Sequence, residues 1–280
     1  MFGKLLKQEF KEMGSIILIG SLVLLGISAF NVAATMIHND LFTVFYTIFA
    51  FATLLLGAGC MTACLVLLGV RYHNTMFGKQ AYLVRLIPAK TETIYGAKFL
   101  AALLVYLLIL ILGLFCFFSA AIGLIGTVVG GIAQEDADFR HILQDLGNWI
   151  SENETDVRWK EVWFELVCFL LYGVGLLLSA VSMVFFSVTL ANAGNLQKNN
   201  LLFAVLFYLG ISFAFSILFG VMGSFPVEIS VYDFLITSYD NMYYTGNAAA
   251  NPLVQLLLYG SFFGFFFGGK YLAKKKCDVK

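Results

Sequence analysis

Charged residues are scarce in this sequence: Asp, Glu, Lys and Arg make up 12% of its 280 residues, whereas 60% are hydrophobic. Soluble domains carry about 25% charged residues, so the composition excludes a soluble domain. Proline is rare as well, with 3 residues, and the mean hydropathy is +0.88. Disordered segments combine low hydrophobicity with high net charge, so they are excluded too. The 17 basic residues balance the 17 acidic ones, so the net charge says nothing about nucleic acid, and no nucleic-acid partner is expected.

Several motifs of known catalytic and binding sites are also missing. The sequence contains no GxxxxGK[ST] motif, with which a P-loop holds phosphates, and no HExxH motif of zinc proteases. The long hydrophobic runs contain no charged residue, whereas ion-coupled transporters and voltage sensors place ionisable side chains there. Cys60 and Cys64 lie one helical turn apart without His or carboxylate neighbours, which favours packing over metal binding. We therefore predict that the chain is not an enzyme and contains no catalytic, metal-binding or cofactor-binding residues.

What remains is a series of six uncharged runs, each 27 to 36 residues long. A helix needs about 20 apolar residues to cross a hydrocarbon core, so each run fits one span. The spans must be helices, because lipid offers no water to exposed backbone groups. The sequence thus predicts an all-α integral membrane protein with six transmembrane helices in one domain over 1–280. The predicted spans are about 15–37, 41–70, 99–130, 164–191, 200–224 and 252–272.

The orientation follows from the basic residues of the connecting segments, of which 14 fall on one side and 3 on the other. An excess of Lys and Arg marks the cytoplasmic side of a membrane protein. This predicts cytoplasmic termini, a cytoplasmic segment at 71–98, and extracellular segments at 131–163 and 225–251. A cleaved signal peptide is disfavoured, because the first apolar run exceeds the 7–15 residues of a signal core.

The segments outside the spans are amphipathic or aromatic. Residues 1–13 predict an amphipathic helix on the inner leaflet with its lysines at anionic headgroups, or alternatively a frayed start of the first span. The segment 131–163 contains all three tryptophans and predicts an interfacial helix or a lid over an exit path. The segment 225–251 is rich in aromatics and predicts short helices in the outer leaflet. The apolar side of the first helix consists of Phe2, Leu5, Leu6, Phe10 and Met13.

Small residues recur every four positions in the last two spans. Such stripes let helix backbones approach each other closely in a membrane. The sequence leaves open whether they pack within one chain or between two chains. The predicted packing residues are Ser212, Ser216, Gly220, Gly260, Gly264 and Gly268.

The cytoplasmic segment begins RYHNTMFGKQAYLVRLIP at residue 71 and continues into the third span. It resembles a stretch of the form R-F-Y-x-x-x-F/Y-G-x-x-x-Y-L-x-x-x-L-P in permease subunits of bacterial ATP-binding-cassette exporters of the Firmicutes type. It departs from the family at Lys79-Gln80, where an acidic pair is frequent, and at 84–86, where polar residues are common. The matching positions hold Arg71, Tyr72, Phe77, Gly78, Tyr82, Leu83, Ile87 and Pro88.

The order of elements extends this resemblance over nearly the whole chain. An amphipathic first helix, six spans, and a main cytoplasmic loop after the second span resemble the type-2 exporter fold. The resemblance implies a second permease chain, identical or homologous, and cytoplasmic ATPase subunits that bind ATP and Mg²⁺. It also implies a coupling helix in the segment 71–98, seated on the ATPase. The residues then expected to contact the ATPase are Arg71, Tyr72, Met76, Phe77, Gly78, Lys79, Tyr82 and Arg85.

The expected function is therefore that of a permease subunit in a bacterial plasma membrane, surrounded by lipid, that exports a hydrophobic or amphipathic substrate such as a peptide, lipid or drug. Two alternatives stay open from the residues. The basic and aromatic residues of the segment 71–98 also fit a simple cytoplasmic loop at the membrane interface. The whole chain also fits a non-transporting immunity or scaffold protein that binds a peptide or a sensor.

Overall fold

The computed structural model describes residues 2–35, 40–78, 81, 90–135, 159–193, 200–224 and 251–278. Within these ranges the chain is helical and contains no β-strand, which confirms the predicted all-α class. The six long helices are α1 (Phe2–Thr35), α2 (Asp40–Met76), α3 (Thr91–Glu135), α4 (Trp159–Ala193), α5 (Asn200–Ser224) and α6 (Pro252–Asp278).

Five of these helices are long and apolar enough to cross a membrane, and α1 makes a sixth if its two bent parts form one span. A soluble fold does not account for helices of this length and hydropathy, so the chain is compatible with a multi-pass membrane protein. The membrane in which it resides and the orientation of its termini stay predictions. The apolar stretches are Ile48–Met76, Thr91–Ala121, Leu166–Ala193, Asn200–Met222 and Pro252–Lys276.

The amphipathic segment and the first span form one helix, which bends by 49° between Phe2–Ser15 and Ile17–Val32. No proline interrupts the helix here, so the backbone can stay helical across the junction. The bend falls between Ser15 and Ile17, directly after Gly14-Ser15, a residue pair of the kind at which helices commonly kink.

The predicted cytoplasmic loop 71–98 is helical at both ends. Helix α2 continues to Met76, and α3 begins at Thr91 with Glu92 in its first turn. A carboxylate at this position is favourable, because helix N-termini carry partial positive charge. The connection between these two helices is therefore shorter than 71–98, because α2 continues through polar residues beyond the apolar run that predicts its span.

The chain divides into two compact units, of which the first comprises residues 1–11, 65–104 and 160–280. Its helices α5 and α6 contact each other. The α4 helix supplies most of its buried polar residues, and their hydroxyl groups bond to carbonyls three or four residues earlier. Ser182, for example, donates to the Ser179 carbonyl at 2.9 Å, and Ser187 donates to the Met183 carbonyl at 2.7 Å. Because these hydroxyls are already bonded, their burial in an apolar region is tolerated.

The second unit comprises residues 12–64 and 105–159, and small residues bring its helices together. A Cβ on Gly20 would lie 3.2 Å from the Ile109 side chain, which is tighter than ordinary contact. The Asn31 amide is fully buried and donates to the Thr53 hydroxyl at 3.4 Å, which links α1 to α2. Polar bonds between membrane helices contribute about 0.6 kcal/mol on average, so this bond fixes register more than it stabilises.

Candidate functional site

Aromatic side chains from four helices meet in the first unit. The Tyr72 ring of α2 stacks on Phe185 of α4 with centroids 4.2 Å apart. The α3 helix contributes Phe99, whose ring lies 4.8 Å from Phe266 of α6. Offset and edge-to-face ring pairs contribute about 0.5–1.5 kcal/mol each beyond simple burial. We call this group the aromatic cluster; its members are Tyr72, Phe77, Tyr95, Phe99, Phe185, Phe262 and Phe266.

Helical spacing explains how these rings reach one place. Tyr95 and Phe99 are four residues apart on α3, as are Phe262 and Phe266 on α6, so each pair lies on one helix face. Phe185 occupies the centre, with its ring against Tyr72, Tyr95 and Phe99. Its exposed fraction is 1%, so the cluster is a packed core and not a surface feature.

A buried ion pair joins α1 to α3 within the same unit. The Lys98 ammonium donates to the Glu9 carboxylate, and the two side chains are only 4% and 14% exposed. The first turn of α1 also reaches α3, since a Cβ on Gly96 would lie 3.9 Å from the Phe2 ring. Desolvation makes a charge without its partner expensive here, so the two side chains must remain together.

A second, more exposed group of charges joins α3 to α6. Glu92 accepts from Lys274 at 2.9 Å and forms an ion pair with Lys270 at 3.1 Å. The three side chains are 33–54% exposed, and exposed pairs contribute about 0–1 kcal/mol each. These contacts therefore orient the first turn of α3 more than they stabilise the fold.

Five of the predicted ATPase contacts lie in the described residues, and two of these, Tyr72 and Phe77, belong to the aromatic cluster. Tyr72 and Met76 are 3% exposed and packed within the chain, whereas Arg71, Phe77 and Gly78 are half-buried. That these residues touch an ATPase stays a prediction, and the structure adds that Tyr72 and Met76 face the interior of their own unit. The remaining predicted contacts, which are Lys79, Tyr82 and Arg85, lie outside the described residues.

Gly78 is required by the way in which α2 ends. The amides of Phe77 and Gly78 both donate to the His73 carbonyl at 2.9 Å, which closes the last turn. A Cβ on Gly78 would lie 2.9 Å from the backbone of Asn74, and backbone atoms cannot move aside as a flexible side chain can. Gly78, which matches the glycine of the exporter segment, therefore has a local structural role in this chain.

The predicted packing stripe has few contacts with the described residues. Among these residues, a Cβ on Gly220, Gly260 or Gly264 would meet no atom within 4 Å, while one on Gly268 would lie 3.1 Å from the Phe186 ring. Ser216 is exposed and Ser212 is half-buried. Close helix contacts also form at Gly20, as described above, and at Gly69, where a Cβ would lie 2.8 Å from Val184.

Sequence reasoning missed most of the residues that build this site. Only Tyr72 and Phe77 of the aromatic cluster were singled out, and both ion pairs were overlooked. Two signals were available: the spacing of Tyr95 and Phe99, and the position of Glu9 on the helix face opposite the first lysines. Within the described residues, no group of three or more His, Cys, Asp or Glu side chains could hold a metal ion. The arrangement is suited to holding helices together and carries no visible catalytic group.

Comparisons with protein-family models, with curated proteins and with solved structures found no match to this chain. The resemblance of the segment 71–88 to exporter permeases therefore rests on its own residues. The function of the aromatic cluster and of the neighbouring ion pairs is therefore inferred from their packing, charge and position in the fold.

Gly269→Ala should destabilise the protein by about 1–3 kcal/mol, because added methyl groups strain a packed core. An ideal Cβ on Gly269 would lie 2.5 Å from the Tyr95 hydroxyl oxygen and 3.5 Å from that of Thr189. Gly264→Ala, with open space at its Cβ, is the matched control and should leave stability nearly unchanged. Denaturation in mixed micelles measures both.

The double variant Gly269→Ala/Tyr95→Phe tests the cause of that loss. The Tyr95 hydroxyl is buried without a hydrogen-bond partner among the described residues, so its removal costs no bond. It also frees the space that the new methyl group needs. We expect the double variant to regain most of the lost stability. A double variant as unstable as Gly269→Ala would show that the clash lies elsewhere.

Proposed function

We propose that this chain is the membrane-spanning permease subunit of an ATP-binding-cassette exporter of the type-2 class. The proposal rests on three features: the exporter-like segment 71–88, the six apolar runs, and the packing of the helices on both sides of the segment 77–90 in the aromatic cluster. Its substrate class would be hydrophobic or amphipathic molecules, such as a peptide, lipid or drug. A bacterial plasma membrane with both termini in the cytoplasm follows from the same resemblance and from the distribution of basic residues.

The observation that carries this proposal is the anchoring of the segment 77–90 at both ends. Its first end follows Tyr72 and its second end leads into Tyr95, and both rings contact Phe185 in the aromatic cluster. A displacement of this segment would therefore be transmitted to α2, α3, α4 and α6 through packed side chains. Packed cores transmit such displacements because they deform little, and rigid-body motion of helices is a common transport transition.

The energy source in this proposal is a separate cytoplasmic ATPase. The sequence contains no P-loop motif, so ATP and Mg²⁺ would be bound by the partner and not by this chain. A second permease chain, identical or homologous, would complete the transporter. The open glycines Gly220, Gly260 and Gly264 leave room for close approach of another helix.

The double variant Phe77→Ala/Tyr82→Ala tests the coupling role. If the two rings anchor an ATPase, their loss should weaken its association at least tenfold, because interface hot spots cost about 2 kcal/mol or more when truncated. Insertion should stay normal, since the apolar runs are unchanged. The measurement is photolabelling with 8-azido-ATP of the complex extracted from its native membrane in mild detergent, followed by recovery of the labelled ATPase with each variant.

The matched control is Phe213→Ala/Tyr271→Ala, which also removes one Phe and one Tyr ring. These side chains are 71% and 65% exposed and lie away from the segment 77–90 in sequence. The control should bind the ATPase as the unmodified chain does. If no P-loop ATPase is recovered even with the unmodified chain, the alternative of a non-transporting immunity or scaffold protein is favoured.

A further inference from the structure

Three lysines form a stripe along the first segment of α1. Lys4, Lys7 and Lys11 follow at intervals of three and four residues, so they lie on one side of the helix. All three are exposed. Among the described residues none of them takes part in an ion pair, so their charges are available to a partner. We call this set the lysine stripe.

The opposite side of the same helix segment is bound to its own unit. Phe2 lies against Gly96, and Glu9 holds the buried ammonium of Lys98. Leu5 and Leu6 are half-buried on that side as well. The segment is therefore fixed on α3, and its lysine stripe faces away from this contact.

The position of the stripe along the chain puts it next to the membrane. Helix α1 continues beyond its 49° bend directly into the uncharged part Ile17–Val32. At 1.5 Å per residue, the distance along the helix from Lys11 to Ile17 is about 9 Å. Lys11 therefore lies within about one Debye length of the span, while Lys7 and Lys4 lie about 15 and 20 Å from Ile17 along the helix. A stripe that lies along the headgroup layer is exposed to the field of anionic lipids over its whole length.

We propose that the lysine stripe is a binding surface for the anionic phospholipid headgroups of the membrane that holds this chain. The Glu9–Lys98 pair and the Phe2–Gly96 contact then couple the lipid-bound segment of α1 to the start of α3. A bilayer is the fitting occupant, because the stripe adjoins a span and a membrane presents phosphates at high local density. The proposal does not depend on the exporter function.

The experiment places the full chain, one copy per nanodisc, in phosphatidylcholine with or without phosphatidylglycerol. Hydrogen exchange of residues 2–11 and 91–98 is then followed by mass spectrometry. Phosphatidylglycerol should slow exchange of residues 2–11 at least tenfold and slow residues 91–98 to a smaller degree. Each Lys→Gln change should weaken the apparent lipid affinity about fivefold, as expected for a lysine at an anionic surface. Exchange that is the same in both lipids would overturn the proposal.

The controls separate this surface from general attraction by charge. Lys4→Gln/Lys7→Gln should lose most of the lipid effect, whereas Lys90→Gln/Lys275→Gln removes two other exposed lysines and should retain it. Lys4→Arg/Lys7→Arg/Lys11→Arg should also retain it, because charge is preserved. A lipid effect that survives Lys4→Gln/Lys7→Gln would overturn the proposal. So would equal protection by inorganic phosphate, or protection that appears only with two chains per nanodisc.

The transmission to α3 has its own variant, Glu9→Gln/Lys98→Gln. This variant removes both charges together, so no unpaired buried charge remains to unfold the site. We expect phosphatidylglycerol to protect residues 2–11 as before, while its effect on residues 91–98 falls at least threefold. Undiminished protection of residues 91–98 would overturn the role of the ion pair.

Discussion

Lys98→Ala should be among the most damaging single substitutions in this protein, lowering the free energy of unfolding by about 3–5 kcal/mol. The Glu9 carboxylate is 14% exposed and has the Lys98 ammonium as its partner across 89 residues of sequence. Without that ammonium the carboxylate loses its partner in a desolvated place, or α1 must leave α3. The expected measurement is denaturation in mixed micelles at neutral pH, together with protease sensitivity of the first segment of α1.

The cause is separated from simple loss of packing by two further variants. Glu9→Gln/Lys98→Gln removes both charges and should lose much less stability than Lys98→Ala, because no unpaired charge is left. Lys274→Ala is the matched exposed control: Lys274 is 54% exposed and its partner Glu92 keeps Lys270. It should cost no more than about 1 kcal/mol. Equal losses for Lys98→Ala and Lys274→Ala would mean that the Glu9–Lys98 pair is not buried in solution.

Phe185→Ala is expected to be the second large effect, at about 2–4 kcal/mol. Its ring makes close pairs with Tyr72, Tyr95 and Phe99, each of which contributes about 0.5–1.5 kcal/mol. Lipid is as apolar as the side chain, so in a membrane the loss comes mainly from packing and not from transfer out of water. Because the ring is the centre of the aromatic cluster, its removal should also loosen the ends of the segment 77–90.

Phe213→Ala provides the control for that substitution. The Phe213 ring on α5 is 71% exposed, so the same truncation there leaves no cavity and should change stability by less than about 0.5 kcal/mol. Exchange of residues 90–98 should accelerate in Phe185→Ala and not in Phe213→Ala. If both variants unfold alike, the aromatic cluster does not anchor these helices.

The sequence determined the helices and their approximate extent. Six runs without charge were sufficient, because lipid requires closed helices and charges end an apolar run. It underestimated α2 at its polar end: α2 continues to Met76, since hydrophobicity marks a span and not the helix that carries it. The bend of α1 was visible only as Gly14-Ser15, two residues that permit a kink without requiring one.

The tertiary structure decided which side chains meet. Glu92 and Lys274 are 182 residues apart, and no local pattern links them. The sequence predicts a packing stripe at Gly260, Gly264 and Gly268. In the structure Gly268, Gly20 and Gly69 make close contacts, because the rotation of each helix about its axis selects the face that packs. In a membrane, hydrophobicity cannot choose that face, since both lipid and protein interior are apolar. The packing face of each helix is selected by the shapes of its side chains and by a few polar pairs. Both depend on neighbours that are distant in sequence.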